Sequence, residues 1–101
     1  PTDNTIASAM ANVVQITSKA KVPVIAGDET LVKAGATAGL SVDYYKLGFQ
    51  AGLMAADILD GKAKPADMPI QQQEDLNVII NQEAAKAIGL TVPPELLAQR
   101  K

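Results

Sequence analysis

The feature that most constrains the fold is the segment at residues 21–27, which is a continuous apolar run after Lys21 and lies between two segments of helical periodicity. Its centre, Val24, Ile25 and Ala26, carries no polar side chain. A parallel strand covered by helices on both faces requires such a run, whereas a strand with one wet face alternates polar and apolar residues. Pro23 fits only near the start of the strand, where a missing N–H does least harm. The run therefore predicts a buried strand in an α/β fold.

Helical and extended segments alternate along the rest of the chain. Apolar residues at helical spacing predict a helix before the run, and glycines mark the ends of later helices. We expect helices over residues 5–20, 28–33, 44–59 and 82–88 with a last one from about Pro94, strands over residues 36–42 and 76–80, and an extended piece over residues 68–72. This order favours a mainly parallel sheet flanked by helices, as in flavodoxin-like three-layer folds.

The segment at residues 44–59 is the strongest predicted helix. Asp43 is a candidate N-cap, and Gly61 follows the last turn. Gly48 and Gly52 lie one turn apart and would let another backbone approach. Its predicted apolar stripe consists of Leu47, Ala51, Met54, Ala55 and Ile58. In the second strand, Gly39 indicates a close approach of another backbone.

Composition excludes several classes of function. The chain is 48% hydrophobic, which argues against disorder, and no apolar stretch is long enough to span a membrane. A net charge of −2, no cluster of Lys and Arg, and three aromatic residues argue against nucleic-acid binding. Without Cys or His there is no disulfide, thiolate, histidine base or usual zinc site. Most catalytic devices are therefore unavailable in this segment, and we expect no cofactor and no metal.

Polar side chains occur at three predicted strand-to-helix junctions. In open α/β sheets, ligands bind outside the carboxyl ends of the strands, and helix N-terminal amides there can hold an anion. Carboxylates at the same edge can hold a ligand ammonium, and a Tyr offers an apolar face with a hydroxyl. The candidate ligand-binding residues are Thr2, Asp3, Asn4, Asp28, Glu29, Asp43 and Tyr44.

Each junction also has a simpler interpretation. The first group caps a helix, the acidic pair suits the first turn of the next helix, and one of Tyr44 and Tyr45 packs in the core while the other is exposed. An Mg²⁺ or phosphoreceiver site built from the acidic residues would also need a phosphoacceptor and a Lys that the sequence does not assign. Gly27, Gly35 and Gly39 form no dinucleotide or phosphate-loop fingerprint.

The same segments resemble one known family. Residues 1–5, 22–29, 31–36, 42–48 and 81–86 occur in the order found in ABC-transporter substrate-binding proteins related to bacterial tryptophan and phenylalanine binders. The resemblance covers nearly the whole chain. The chain begins at Pro1 without Met, and Pro1-Thr2 resembles the end of a strand-to-helix loop, so we expect a longer protein with a strand before this point.

The resemblance implies a type I periplasmic-binding fold, in which two lobes close on a ligand and hinge strands join them. Residues 1–101 would be the C-terminal, second-lobe segment, and residues 43–61 would form a helix of the first lobe. Asp3, Asn4, Asp28 and Glu29 would line the cleft, with Asp43 and Tyr44 near a hinge crossing. Such proteins are exported, as lipoproteins or free in the periplasm. They deliver an amino-acid-like ligand to a permease and catalyse no reaction, so the resemblance implies that the chain is not an enzyme.

A first-lobe helix without its lobe would expose an apolar stripe. We therefore expect the isolated segment either to fold this helix back onto its own sheet or to self-associate. Three alternatives to an importer component remain: the effector-binding domain of a transcriptional regulator, a flavodoxin- or receiver-like enzyme or signalling domain, and a purely structural interaction module.

Overall fold

The predicted alternation of helices and strands is present in the computed structural model, which describes residues 3–100. The elements follow in this order: α1 (Asn4–Ser8), α2 (Met10–Lys19), β1 (Ile25–Ala26), α3 (Glu29–Lys33), β2 (Ala38–Ser41), α4 (Tyr44–Leu59), a 3-10 turn (Pro65–Asp67), β3 (Asn77–Ile80), α5 (Gln82–Ala87) and α6 (Pro94–Gln99). The predicted α/β class is confirmed.

The chain divides into two units. Unit 1 runs up to Ser41 and resumes at Asn77, and it contains the three strands with five of the helices described. Unit 2 comprises Val42–Leu76 and contains α4 and the 3-10 turn. The chain therefore leaves unit 1 at the end of β2 and returns to it at the start of β3.

The sheet of unit 1 is mixed. Its order is β1-β2-β3, and β1 pairs with β2 in parallel with Ala26 opposite Gly39. β3 runs antiparallel to β2, with Ser41 opposite Asn77. The sequence predicted a mainly parallel sheet. Among the three strands of the described residues only the β1–β2 pair is parallel, and one isolated parallel bridge joins Val78 to Arg100. Residues 42–76, including α4, lie between β2 and β3, and a connection of that length also permits a parallel crossover, so connection length alone does not set the direction of β3.

A small core covers one face of the sheet. Val32 of α3 is 2% exposed, and Met10 of α2 is 3% exposed. The cluster consists of Met10, Ala26, Leu31, Val32 and Ala36, with Val13, Val14, Val24 and Ile79 packed against it. Burying a side chain such as Val32 stabilises the fold by roughly 1.5–3 kcal/mol.

Gly39 lets α3 and β1 come close to β2. A Cβ on Gly39 would overlap the carbonyl oxygen of Ala26 and lie 3.0 Å from Cγ2 of Val32. The predicted close approach at Gly39 is therefore confirmed.

The opposite face of the sheet is partly open. Ile25 is 71% exposed and Leu40 is 54% exposed, although both belong to the sheet. The prediction that the first strand is buried on both faces is wrong, because β1 is an edge strand of two residues whose burial alternates. The expected helix layer on this face does not cover Ile25 and Leu40.

The helices of unit 1 begin and end largely where the sequence predicts. Asp28 caps α3 by accepting a hydrogen bond from the Thr30 amide at 2.7 Å, and Asn81 caps α5 by accepting from the Ala84 amide at 3.0 Å. Gly35 and Gly89 follow α3 and α5 with positive φ, as does Gly61 after α4. Glycine adopts this conformation without the steric penalty that a side chain carries.

The first predicted helix is interrupted at Ala9, which separates α1 from α2. Ser8 donates its hydroxyl hydrogen to the carbonyl oxygen of Asn4 at 2.8 Å, and such back-bonding often bends helices. No Gly or Pro marks this position, so helical periodicity alone did not reveal the break.

Lys21 shortens the first strand. Its φ is 55°, and it follows the C-cap Ala20 in a Schellman arrangement: the Lys21 amide donates to Ser18 and the Val22 amide donates to Thr17. The sequence predicted that residue 21 begins the strand, and this is wrong because the residue still belongs to the helix terminus. A lysine replaces the glycine usual there, so the signal was absent.

Unit 2 is built around α4, whose bounds, Tyr44–Leu59, agree with the predicted helix. None of its residues is buried, and only Leu47 and Met54 of the predicted stripe are half-buried. Added Cβ atoms on Gly48 and Gly52 would meet no atom within 4 Å. The backbone neighbour predicted for these glycines is therefore not present among the described residues.

Candidate functional site

The carboxyl edge of the parallel strands is the first candidate site. β1 ends at Ala26, two residues before the α3 cap Asp28, and β2 ends at Ser41. Because β3 is antiparallel, its first residue, Asn77, lies opposite Ser41 at the same edge. Ligands of open α/β folds bind outside this edge.

The predicted carboxylates at the helix starts in unit 1 serve as caps. Oδ1 of Asp3 accepts from the amides of Thr5 at 2.8 Å and Ile6 at 3.2 Å. Oδ1 of Asp28 accepts from the amide and the hydroxyl of Thr30. Capping is thus one role of both residues. Because both bonds to Asp3 use the same oxygen of an exposed side chain, this cap leaves the other oxygen able to contact a ligand.

The remaining candidates of unit 1 differ in their surroundings. Asn4 is exposed in the first turn of α1. The carboxylate of Glu29 forms a surface ion pair with Lys33 at 2.7 Å, one turn later in α3. The Glu29 side chain is 47% exposed in this pair, so a ligand can reach it. Thr2 lies outside the described residues.

Asp43 and Tyr44 lie in unit 2. Oδ1 of Asp43 accepts from the Lys46 amide at 3.1 Å and so caps α4. Tyr44 is 65% exposed and Tyr45 is 83% exposed. The interpretation in which one of these tyrosines packs in the core is therefore wrong, because unit 2 has no buried core around the start of α4.

A polar segment at residues 71–75, which sequence analysis did not identify as a candidate site, lies along α4. The side-chain oxygen of Gln73 accepts from the backbone amide of Asp43 at 2.9 Å. The side-chain amide of Gln50 donates to the side-chain oxygen of Gln71 at 2.7 Å. Lys46 pairs with Asp75 at 2.9 Å, and this hydrogen bond, together with the charge of the same carboxylate, raises the pKa of the Lys46 ammonium above 10.5. The segment contains no assigned strand, so it is held by side chains rather than by a ladder.

Two further polar residues at the edge of unit 1 also escaped sequence analysis. Ser41 is only 3% exposed. The side-chain oxygen of Asn77 is buried and accepts no hydrogen bond from any residue that the structure describes. The available signal was a polar residue at the start of a β-branched run, Val78-Ile79-Ile80, which is more often a simple strand boundary.

The described residues do not resemble a metal centre. Across residues 3–100, no group of three or more acidic side chains is close enough together to hold an ion. Nor does this part of the chain contain a helix of the length and apolarity needed to cross a membrane.

Comparison with known proteins identifies the class. The chain matches the family of ABC transporter substrate binding proteins over residues 1–101 and belongs to that family. The resemblance predicted from the sequence is thereby confirmed.

Individual relatives agree with this assignment. The chain is 39% identical over 90 residues to a tyrosine-binding protein of Clostridioides difficile (strain R20291). The match covers 89% of this chain and 26% of that protein. It matches the crystal structure of a conserved domain protein from Vibrio cholerae with a TM-score of 0.79 at 35% identity, covering 99% of this chain and 33% of that one.

A ligand-bound structure is also similar. The ABC domain from Streptococcus pneumonia in complex with L-Trp matches with a TM-score of 0.77 at 34% identity, covering 99% of this chain and 34% of that one. The chain thus spans between about a quarter and a third of the length of these relatives.

Proposed function

We propose that the chain is part of the extracytoplasmic solute-binding component of an ABC importer, and that the intact protein binds a small amino-acid-like ligand between two lobes. Family membership over the whole chain carries this proposal. The relatives support an aromatic amino acid as the ligand, since one is a tyrosine-binding protein and another was crystallised with L-Trp. The intact protein delivers its ligand to a permease and performs no chemistry on it.

In this proposal, residues 1–101 form the second-lobe segment, and residues 43–61 belong to the first lobe. The exposure of α4 supports this assignment. Phe49 is 62% exposed and Leu53 is 56% exposed, whereas Leu47 and Met54 are half-buried. A helix that is apolar on most of its surface is usually buried in a larger core. Ile25 and Leu40 are likewise exposed on the open face of the sheet, and in this proposal another part of the intact protein packs against them.

The ligand site in this proposal uses the carboxyl edge. Asp3, Asn4, Asp28 and Glu29 line one side of the cleft, with Thr2 next to them in sequence. Amides and carboxylates at a helix start can hold the carboxylate and ammonium of an amino acid, respectively. Asp43 and Tyr44 lie near a hinge crossing, where a tyrosine contributes both an apolar ring face and a hydroxyl to an amino-acid site.

Calorimetry of the intact protein tests this function. L-Tyrosine and L-tryptophan should bind, and Asp3→Ala and Glu29→Ala should each weaken binding by about tenfold, as expected for loss of a charge-assisted contact. Glu95→Ala, which changes an acidic residue in the first turn of α6, is the control and should leave affinity unchanged. No binding of any amino acid would contradict the function, and unchanged affinity in both site variants would contradict only the site.

The exposed helix also supports self-association of the 101-residue chain alone. Sedimentation should show oligomers, and Phe49→Asp should reduce them because it places a charge on the apolar surface. A monodisperse wild-type monomer would remove this part of the proposal without affecting the ligand assignment.

A further inference from the structure

The side chain of Asn77 is oriented by the register of the sheet. Asn77 lies opposite Ser41, and Ile79 lies opposite Gly39 in the same ladder. Side chains alternate along a strand, so Asn77 and Ile79 share one face. Ile79 packs against the core cluster. Asn77 therefore belongs to the covered face, at the end of the sheet where the parallel strands terminate.

This position leaves a polar atom without a partner. The Asn77 Oδ1 atom is buried, and no donor from the described residues reaches it. Most buried polar atoms in proteins are hydrogen-bonded, because burying an acceptor without a donor costs free energy. Asn81, four residues later, shows the usual outcome: its oxygen accepts from the Ala84 amide and its nitrogen donates to the Val32 carbonyl.

The location suggests what supplies the missing donor. Asn77 is at the carboxyl edge, and the acidic residues Asp28 and Glu29 follow β1 at the same edge. β1 and β3 are separated by two strand spacings, about 10 Å. An amino acid is long enough to bridge much of that distance. An acceptor oxygen at an acidic edge suits a positively charged N–H donor better than an anion.

We propose that Asn77 is a further ligand-binding residue, whose side-chain oxygen accepts a hydrogen bond from the ammonium group of the bound amino acid. The inference rests on the proposed function, because it requires an amino-acid ligand. It adds a neutral acceptor to the carboxylates predicted from the sequence. The ligand's ammonium group supplies the donor that the Asn77 oxygen lacks among the described residues.

The test compares ligands with and without the ammonium group. Calorimetry on the intact protein uses L-tryptophan and its deaminated analogue, 3-(indol-3-yl)propanoate. In the Asn77→Leu variant, which keeps the size but removes the acceptor, binding of L-tryptophan should weaken about 10–100-fold. Binding of the analogue should change less than threefold. Asn77→Asp, which retains an acceptor, should preserve the preference for L-tryptophan.

A matched control makes the same chemical change elsewhere. Asn12 is exposed within α2, and Asn12→Leu should leave both affinities unchanged. If Asn77→Leu fails to fold, Asn77→Ser supplies the same comparison with a shorter side chain that cannot reach the same point.

Two results would overturn the inference while the proposed function survives. The first is wild-type binding of L-tryptophan that Asn77→Leu leaves within twofold, as expected if a water satisfies the oxygen. The second is an equal loss of affinity for both ligands, which indicates a structural effect. If the wild-type protein binds no amino acid, the proposed function fails and the inference fails with it.

Discussion

Asn81 links three parts of unit 1, and its removal should be costly for stability. Its side-chain oxygen accepts from the Ala84 amide at 3.0 Å, and its side-chain nitrogen donates to the Val32 carbonyl at 3.2 Å. Its backbone amide donates to Thr37 at 2.9 Å, and this bond survives substitution. The side chain therefore joins α5 to the end of α3.

The expected loss follows from these two side-chain bonds. Removing an N-cap costs about 1 kcal/mol, and losing a neutral hydrogen bond to a carbonyl costs about 1 kcal/mol more. The Val32 carbonyl keeps a second donor, the Gly35 amide at 3.0 Å, so no unsatisfied acceptor adds to the cost. We expect Asn81→Ala to lower the free energy of unfolding by about 2 kcal/mol.

Urea denaturation followed by circular dichroism measures this change. Asn81→Ser keeps an N-cap oxygen but is too short to reach the Val32 carbonyl, so it should lose about half as much as Asn81→Ala. Asn12→Ala, an exposed substitution inside α2, should change stability by less than about 0.5 kcal/mol. If Asn81→Ala behaves like Asn12→Ala, the proposed junction does not stabilise the protein and the reasoning fails.

Three other predictions concern the backbone and one surface pair. Gly39→Ala should destabilise the fold by about 2–3 kcal/mol because its Cβ overlaps the Ala26 carbonyl. Gly52→Ala, which has open space around it, should stabilise the fold by roughly 0.5–1 kcal/mol. Equal effects of the two substitutions in thermal melts would refute this reasoning. Lys21→Gly should stabilise by about 1 kcal/mol because it relieves a left-handed lysine, and a loss of stability in the same melts would count against that account. For Lys46, NMR titration should give a pKa above 10.5, and Asp75→Asn should lower it. Because the pKa is raised in the folded state, the pair's contribution to folding stability is present below pH 10.5 and is lost as the pH rises through the folded pKa. An unchanged pKa in Asp75→Asn would contradict the cause assigned to the shift.

The parts of the fold that follow from local signals were predictable from the sequence. Asp28, Asp43 and Asn81 precede helical periods and cap helices in the structure, while Gly35, Gly61 and Gly89 follow them with positive φ. Gly39 correctly indicated close packing in the second strand. These positions were predictable because each solves a steric or hydrogen-bonding problem within a few residues of itself.

The parts that depend on distant contacts were not predictable in this way. The direction of β3 depends on where the chain returns after unit 2, and no residue of β3 encodes it. Lys21 ends α2 in a left-handed conformation that its side chain does not favour, so the residue type gave no signal of the turn. The exposure of Ile25 depends on which face of the sheet is covered.

The same distinction between local signals and distant contacts applies to the residues of the candidate site. Asp3, Asp28 and Asp43 were predictable as polar groups at helix starts. Capping was expected for Asp3 and Asp43, whereas Asp28 was expected in the first turn of its helix and caps it instead. Asn77 and Ser41 were not, because their place at the carboxyl edge depends on a pairing between residues 36 positions apart. Burial of the Asn77 oxygen becomes visible only once that pairing is known.

A crystal structure of the intact protein with L-tryptophan or L-tyrosine tests the central claim most directly. The ligand should lie outside the carboxyl edge of the sheet, within hydrogen-bonding distance of Asn77 and of at least one of Asp3, Asp28 and Glu29. The apolar side chains of α4, Phe49 among them, should be buried against the rest of the protein. A ligand bound away from this edge, with these polar groups in bulk solvent, would contradict the account.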